Sequence, residues 1–281
     1  MSSDLVHILK LLDDPEPAVQ SAVATYVEQF QGDMSEELAS EALSLTQAES
    51  KILSKHLMPG RRQYLMDNWQ VPRRFLQNDS QDWETFEYLL SLLSDYLHDG
   101  VSLRTSLSDA LDLLADEIHL AEASSTPDLL AQYLFKDARL TGNKQTYFAL
   151  ENSDLTWVLN NGIGNPITLV VIYMLLSNRF GLSVYGCNYP GHFLAWVPSA
   201  KGPYAIDAYN NARVLWPQEI IRENPLLSQQ AKTALSGPCP FFAIIIRVLN
   251  NIETSLQKEG LDSEIPCIQQ LKRSITPTPV S

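Results

Sequence analysis

Asn165-Pro166-Ile167-Thr168-Leu169-Val170-Val171-Ile172-Tyr173-Met174-Leu175-Leu176 is followed by Phe180-Gly181-Leu182, then Pro190-Gly191-His192-Phe193-Leu194-Ala195-Trp196, and then Ala205-Ile206-Asp207. This reads as a buried helix and a β-hairpin carrying one histidine and one aspartate. Asn165 can accept from the free amides of the first turn, and Pro166 suits the first helical position because its missing N–H costs nothing there. Gly181 can supply the left-handed residue past the far end. The helix is apolar almost all round, which predicts an interior position. It is too short for a bilayer, where roughly 20 apolar residues are needed.

Outward from this stretch, the first 120 residues read as nearly all helix. Leu5 to Leu12 has helical apolar spacing, Asp13-Asp14-Pro15-Glu16-Pro17 breaks it, and Ala18, Val19, Ala22, Val23, Tyr26, Val27 and Phe30 resume it. This pair resembles one HEAT unit, but a solenoid needs about three stacked units, so the pair is expected to dock on something else. A helix is predicted from Ser35 to about Leu57, ended by Pro59-Gly60. Trp69 to Ser80 reads as irregular, Trp83 to Leu97 and Leu103 to Leu120 as amphipathic helices, and Thr126-Pro127-Asp128 as the start of a helix through Lys136. Asn152-Ser153 is predicted to cap a short helix through Leu159. Strands are predicted at Ser183 to Cys187, His192 to Val197 and Tyr204 to Tyr209. Trp216-Pro217 opens a helical region, Phe241 to Leu256 continues it, and Thr276 to Ser281 is expected to fray.

The 281 residues are 45% apolar, enough for a substantial core, and carry a net charge of −13. That charge repels phosphate backbones and anionic membrane surfaces, so neither nucleic acid nor membrane is an expected partner. Arg61-Arg62 and Arg73-Arg74 are the basic clusters, and solvated helix ends explain them best. The start of the chain shows no cationic segment followed by an apolar core, so secretion is not expected and a cytoplasmic location is. Cys187, Cys239 and Cys267 are far apart, as suits reduced thiols. His7, His56, His98 and His119 lack metal-ligand spacing, so no metal or other cofactor is implied.

Alternation puts His192, Leu194 and Trp196 on one strand face, and a pairing register summing to an odd number adds Ala205, Asp207 and Tyr209. His192 and Asp207 could then hydrogen-bond, the carboxylate orienting the imidazole as in a triad. A nucleophile at the amino end of the helix would complete the set.

The order of helix, His strand and Asp strand resembles the transglutaminase-like, papain-related core. The run from Leu134-Phe135 through Thr141-Gly142-Asn143, Tyr147, Asn152-Ser153, Gly164-Asn165-Pro166-Ile167-Thr168-Leu169, Tyr173, Gly181-Leu182 and Pro190-Gly191-His192-Phe193-Leu194 to Ile206-Asp207 is similar to bacterial SirB-type transglutaminase-like proteins. The same module resembles one in a eukaryotic F-box protein. The resemblance implies an α+β fold: a helical region at 1–125, a transglutaminase-like core with a small antiparallel sheet at 126–215, and a helical segment and tail at 216–281. His192 and Asp207 carry over onto the superfamily's catalytic pair. The position of its nucleophilic Cys falls at or beside Pro166, and no cysteine precedes Cys187.

This departure implies a catalytically degenerate binding or regulatory protein with a protein partner. The other reading is a hydrolase or acyl-transfer enzyme using His192 and Asp207 without a protein thiol, and the bland one is a buried pair tying the hairpin to the helix. Asn165, Pro166, Thr168, Trp196 and Tyr209 are the candidate substrate-binding residues. Thr168 is more plausibly a backbone-bonding residue than a nucleophile, and Trp196, Tyr185, Tyr189 and Tyr209 suit core packing as well as a pocket wall.

Overall fold

The computed structural model describes residues 2–77 and 81–276. Asn78 to Ser80, part of the expected irregular stretch, and residues 277–281 of the expected frayed tail lie outside the described residues. The chain divides into two compact units, residues 1–69 with 95–105, and residues 70–94 with 106–281. The architecture is α+β, as the sequence predicts.

The first unit holds α1 (Ser2–Leu9), α2 (Pro17–Glu28), α3 (Ser35–Ser40) and α4 (Gln47–Asn68). The predicted helix from Ser35 is thus two helices, and Thr46 starts the second with a reciprocal cap to Glu49. Pro59-Gly60 does not end α4. A proline inside a helix costs about 3 kcal/mol, and the offset comes from the next residue but one. Arg61 is 5% exposed. Its guanidinium donates to the carbonyls of Asp99 (3.0 Å), Gly32 (3.2 Å), Ser54 (3.2 Å) and Tyr96 (3.3 Å). Arg61 is therefore no solvated helix end, contrary to the expectation for its cluster. Gly60 permits this approach, since a Cβ there would stand 2.6 Å from the Gly32 nitrogen.

Helix α5 (Trp83–Leu97) begins in the second unit, and its last residues belong to the first. The second unit continues with α6 (Leu107–Leu120), α7 (Pro127–Ala131), a π-turn at Gln132–Lys136 and α8 (Leu155–Asn161). Asp154 caps α8 through the amides of Thr156 and Trp157, not Asn152-Ser153 as predicted. The short strands β1 (Thr141–Gly142) and β2 (Ile163–Gly164) pair in parallel on either side of α8 in the chain.

Strand β2 leads directly into α9 (Pro166–Arg179), in which every residue from Pro166 to Ser177 is buried. Asn165 caps it, accepting from the Thr168 amide at 3.0 Å, and Gly181 follows it at φ +67°. Both ends are as predicted. Each fully buried Val, Leu or Ile in α9 is worth about 1.5–3 kcal/mol, which makes this helix the centre of the unit.

A four-stranded antiparallel sheet follows, in the order β3 (Tyr185–Cys187), β4 (Leu194–Val197), β5 (Tyr204–Asp207) and β6 (Arg213–Leu215). Ala195 pairs with Ile206 and Trp196 with Ala205, so the register sum is odd, as the site requires. Strand β6 was not predicted. Helices α10 (Pro217–Glu223) and α11 (Gln229–Ser236) cover Cys187, Leu194, Ala205 and Trp196 on one face, while α9 packs on β3 and β4. Helices α12 (Phe241–Glu259) and α13 (Ile265–Ile275) pair with each other and complete the unit. Among the described residues, no helix is long and apolar enough to cross a membrane.

Candidate functional site

His192 does not lie in the strand assigned to it. The strand begins at Leu194, and His192 sits in the preceding turn, entered through Gly191 at φ +76°, with its amide donating to the Tyr189 carbonyl at 3.2 Å. From this turn the ring faces the end of β5. It reaches the aspartate, with Nε2 2.8 Å from Asp207 Oδ1.

Asp207 ends β5 and caps the 3-10 turn Ala208–Asn210. Its Oδ1 also accepts from the Asn210 amide at 3.1 Å, and its Oδ2 from Asn210 Nδ2 at 2.8 Å. Burial pushes this carboxyl up. The hydrogen bonds and charge of His192 together with the two Asn210 donors outweigh burial and hold it below the ordinary carboxylate value. An ionised carboxylate can only accept, so Nε2 carries the proton it donates. In the neutral ring Nδ1 is then a bare acceptor, and among the described residues nothing is hydrogen-bonded to it. The imidazole side chain is 26% exposed and the carboxylate 8%, so the ring is the more open of the two to water.

Tyr209 stands edge-to-face to His192 at 6.1 Å, and its hydroxyl donates to the Asn143 carbonyl at 2.8 Å. Its ring covers Gly142, where a Cβ would come within 2.5 Å of Cδ2 and Cε2. Strand β1 therefore needs glycine at 142 to let this tyrosine lie flat, and β1 links the tyrosine to β2 and the start of α9.

Beneath the pair runs a network of buried amides. Asn143 Nδ2 donates to Asn152 Oδ1 at 2.9 Å, and Asn152 Nδ2 donates to the carbonyls of Thr146 (2.7 Å) and Tyr147 (3.0 Å). The Thr168 hydroxyl donates to the Asn152 carbonyl at 2.8 Å, and Asn165 Nδ2 to Ser153 Oγ at 3.2 Å. Asn165, Pro166 and Thr168 are all buried within this scaffold, so they hold the floor of the site. Trp196 is elsewhere. It packs with Tyr185 at 6.2 Å and with the cluster under α10 and α11, and it is not among the rings around His192.

Of the candidate residues, His192, Asp207 and Tyr209 come together, Asn165, Pro166 and Thr168 lie in the scaffold, and Trp196 is separate. Asn143, Asn152 and Asn210 were not singled out by function. Their signal was weak, because an amide in a loop reads first as a turn former.

No thiol stands with the pair. The Cys187 thiol is buried, donates to the Ala234 carbonyl at 3.1 Å, and is pushed up to about 12 by burial. Burial likewise pushes Cys239 up to about 12, and Cys267 is buried.

The family description "Transglutaminase-like superfamily" matches residues 104–250, more than half of the chain. The chain belongs to the transglutaminase-like superfamily. The matched span carries β1 to β6, α9, His192 and Asp207, so the family's region and the site geometry coincide. The chain is 33% identical over 129 residues to a UPF0162 protein of Xylella fastidiosa strain Temecula1, covering 44% of this chain and 46% of that one. F-box only protein 21 of Mus musculus and of Homo sapiens is 25% identical over 147 residues, covering 50% of this chain and 23% of each relative. The chain thus matches less than half the length of these curated relatives. No solved structure matches it.

Proposed function

We propose that this protein is a SirB-type member of the transglutaminase-like superfamily that lacks the nucleophilic cysteine and acts in the cytoplasm as a binding or regulatory module for a protein partner. One observation carries the reading: a buried proline occupies the first position of α9, where a nucleophilic cysteine would stand, and all three thiols of the sequence lie at Cys187 or beyond. A proline nitrogen in a peptide bond cannot attack a carbonyl. With no attacking group, the His192–Asp207 pair and Tyr209 serve to fix the turn and the loop around Tyr147. The helical N-terminal region adds further surface for the partner.

Capture of partners by the immobilised full chain tests this. His192→Ala is expected to retain capture and to melt within a few degrees of wild type; complete loss of capture with unchanged melting would refute the proposal.

A second reading has its own observation, an Nδ1 without a hydrogen-bond partner among the described residues, on a ring 26% exposed, while Nε2 is held by Asp207. A base so oriented can take a proton from water, an effect of about 10²–10⁴-fold in rate. Turnover dependent on His192 would favour it.

A further inference from the structure

The loop between β1 and α8 shows two large aromatic side chains to solvent in succession, Tyr147 at 41% and Phe148 at 46% exposed. Their rings meet edge-to-face at 5.0 Å, Tyr147 meets Tyr209 at 6.2 Å, and Tyr209 meets His192. The result is a continuous row of rings leading out from the imidazole. Buried Asn152 donates to the carbonyls of Thr146 and Tyr147, which fixes the backbone that carries the two outer rings. A backbone held in this way leaves less freedom to be lost on contact, and Tyr and Phe bring large contact area with only two side-chain torsions each.

The far end of the row is marked by charge. Lys258 Nζ stands 5.2 Å from the centre of the Phe148 ring, and among the described residues no acid is paired with it. The neighbouring Glu259 is occupied, accepting from the Leu150 amide at 2.9 Å, which also fastens the end of α12 to the ledge. Lys258 thus puts a positive charge at the rim of the aromatic surface, on a chain of net charge −13.

We infer that Tyr147, Phe148 and Lys258 form a docking ledge for an extended peptide segment of a partner protein, one that carries a bulky apolar side chain followed by acidic residues. The apolar side chain lies on the two rings, and the carboxylates meet Lys258. This rests on the binding reading above and names the chemistry of the partner.

Fluorescence anisotropy of the full chain with labelled peptides tests it. The probes are Gly-Ser-Phe-Glu-Glu-Ser-Gly and the versions with Phe-Lys-Lys or Ala-Glu-Glu at the centre. The Phe-Glu-Glu peptide is expected to bind at least about tenfold more tightly than either other, and Tyr147→Ala with Phe148→Ala to lose about tenfold. Lys258→Glu should reverse the preference between acidic and basic peptides, which a merely misfolded chain would not do. Leu226→Ser, at a side chain 99% exposed elsewhere, should change nothing. Equal binding of acidic and basic peptides, or full binding by the double variant, would overturn the ledge. So would self-association, seen by sedimentation and lost in the double variant, because the occupant would then be a second copy. Release of peptide amines that depends on His192 would count against the binding reading, and the anisotropy series would still decide the ledge.

Discussion

His192 Nε2 and Asp207 Oδ1 stand 2.8 Å apart across the turn between β3 and β4 and the end of β5, a bond that fixes which ring nitrogen faces solvent. Around it, Tyr209 covers Gly142 and the amides of Asn143 and Asn152 hold the loop. The pair thus joins a polar and aromatic scaffold packed against α9.

Asp207 should be felt in acid. Its folded carboxyl lies below the ordinary value, so on acidification the unfolded chain takes up this proton first. The stability it provides is complete above the ordinary carboxylate range and is lost as pH falls through the folded value. Denaturant midpoints of wild type and Asp207→Asn should therefore converge between about pH 5 and pH 3. A gap independent of pH would contradict this.

His98 gives a second, separate window. Its side chain is 9% exposed, its Nδ1 accepts from the Gly100 amide at 3.1 Å, and burial pulls it down to about 4, Arg104 adding to the effect and Asp99 and Asp33 opposing it. Protonation would remove that acceptor. The unfolded chain binds the proton first, so stability should fall as pH drops from about 6.5 toward 4, by as much as about 3 kcal/mol. His98→Gln should flatten this segment of the pH profile.

Gly142→Ala should destabilise the chain by about 1–3 kcal/mol, since the new methyl group meets the Tyr209 ring. In a Tyr209→Ala background the same substitution should cost under about 0.5 kcal/mol. Equal costs in the two backgrounds, measured by chemical denaturation, would place the strain elsewhere.

The thiols should be inert in the native state. With Cys187 and Cys239 pushed up to about 12 by burial, little thiolate exists at neutral pH. Iodoacetamide at about pH 8 should modify them at least about 100-fold more slowly in the folded than in the unfolded chain. Rapid labelling of one native cysteine would reveal a nucleophile that the site as described does not have.

Local signals carried most of what the sequence revealed. The cap at Asn165, Gly181 past the end of α9 and the odd register of the hairpin depend on near neighbours, so they could be read directly. Arg61 could not, because its reason for burial lies in the distant carbonyls of Gly32, Tyr96 and Asp99. The same bonds carry α4 through Pro59. Strand β6 escaped notice because Arg213-Val214-Leu215 is short and largely exposed, with no alternation to mark it. His192 was placed in a strand because alternation extends naturally past Leu194, while the turn at Gly191 depends on backbone geometry. Trp196 shares a strand face with Leu194, and that face packs under α10 and α11. The amide network is hidden in the sequence because the side chains of Asn143 and Asn152 find their partners only once the loop between them folds back on itself.

A binding module of this kind carries out no chemistry through His192. Initial rates on p-nitrophenyl esters, peptide amides and γ-glutamyl amides, compared between wild type and His192→Ala at matched melting temperature, test it most directly. The two proteins are expected to give the same background rate on every substrate. A wild-type rate that His192→Ala lowers by about 100-fold or more would mean that the pair is a working acid–base catalyst and the protein an enzyme.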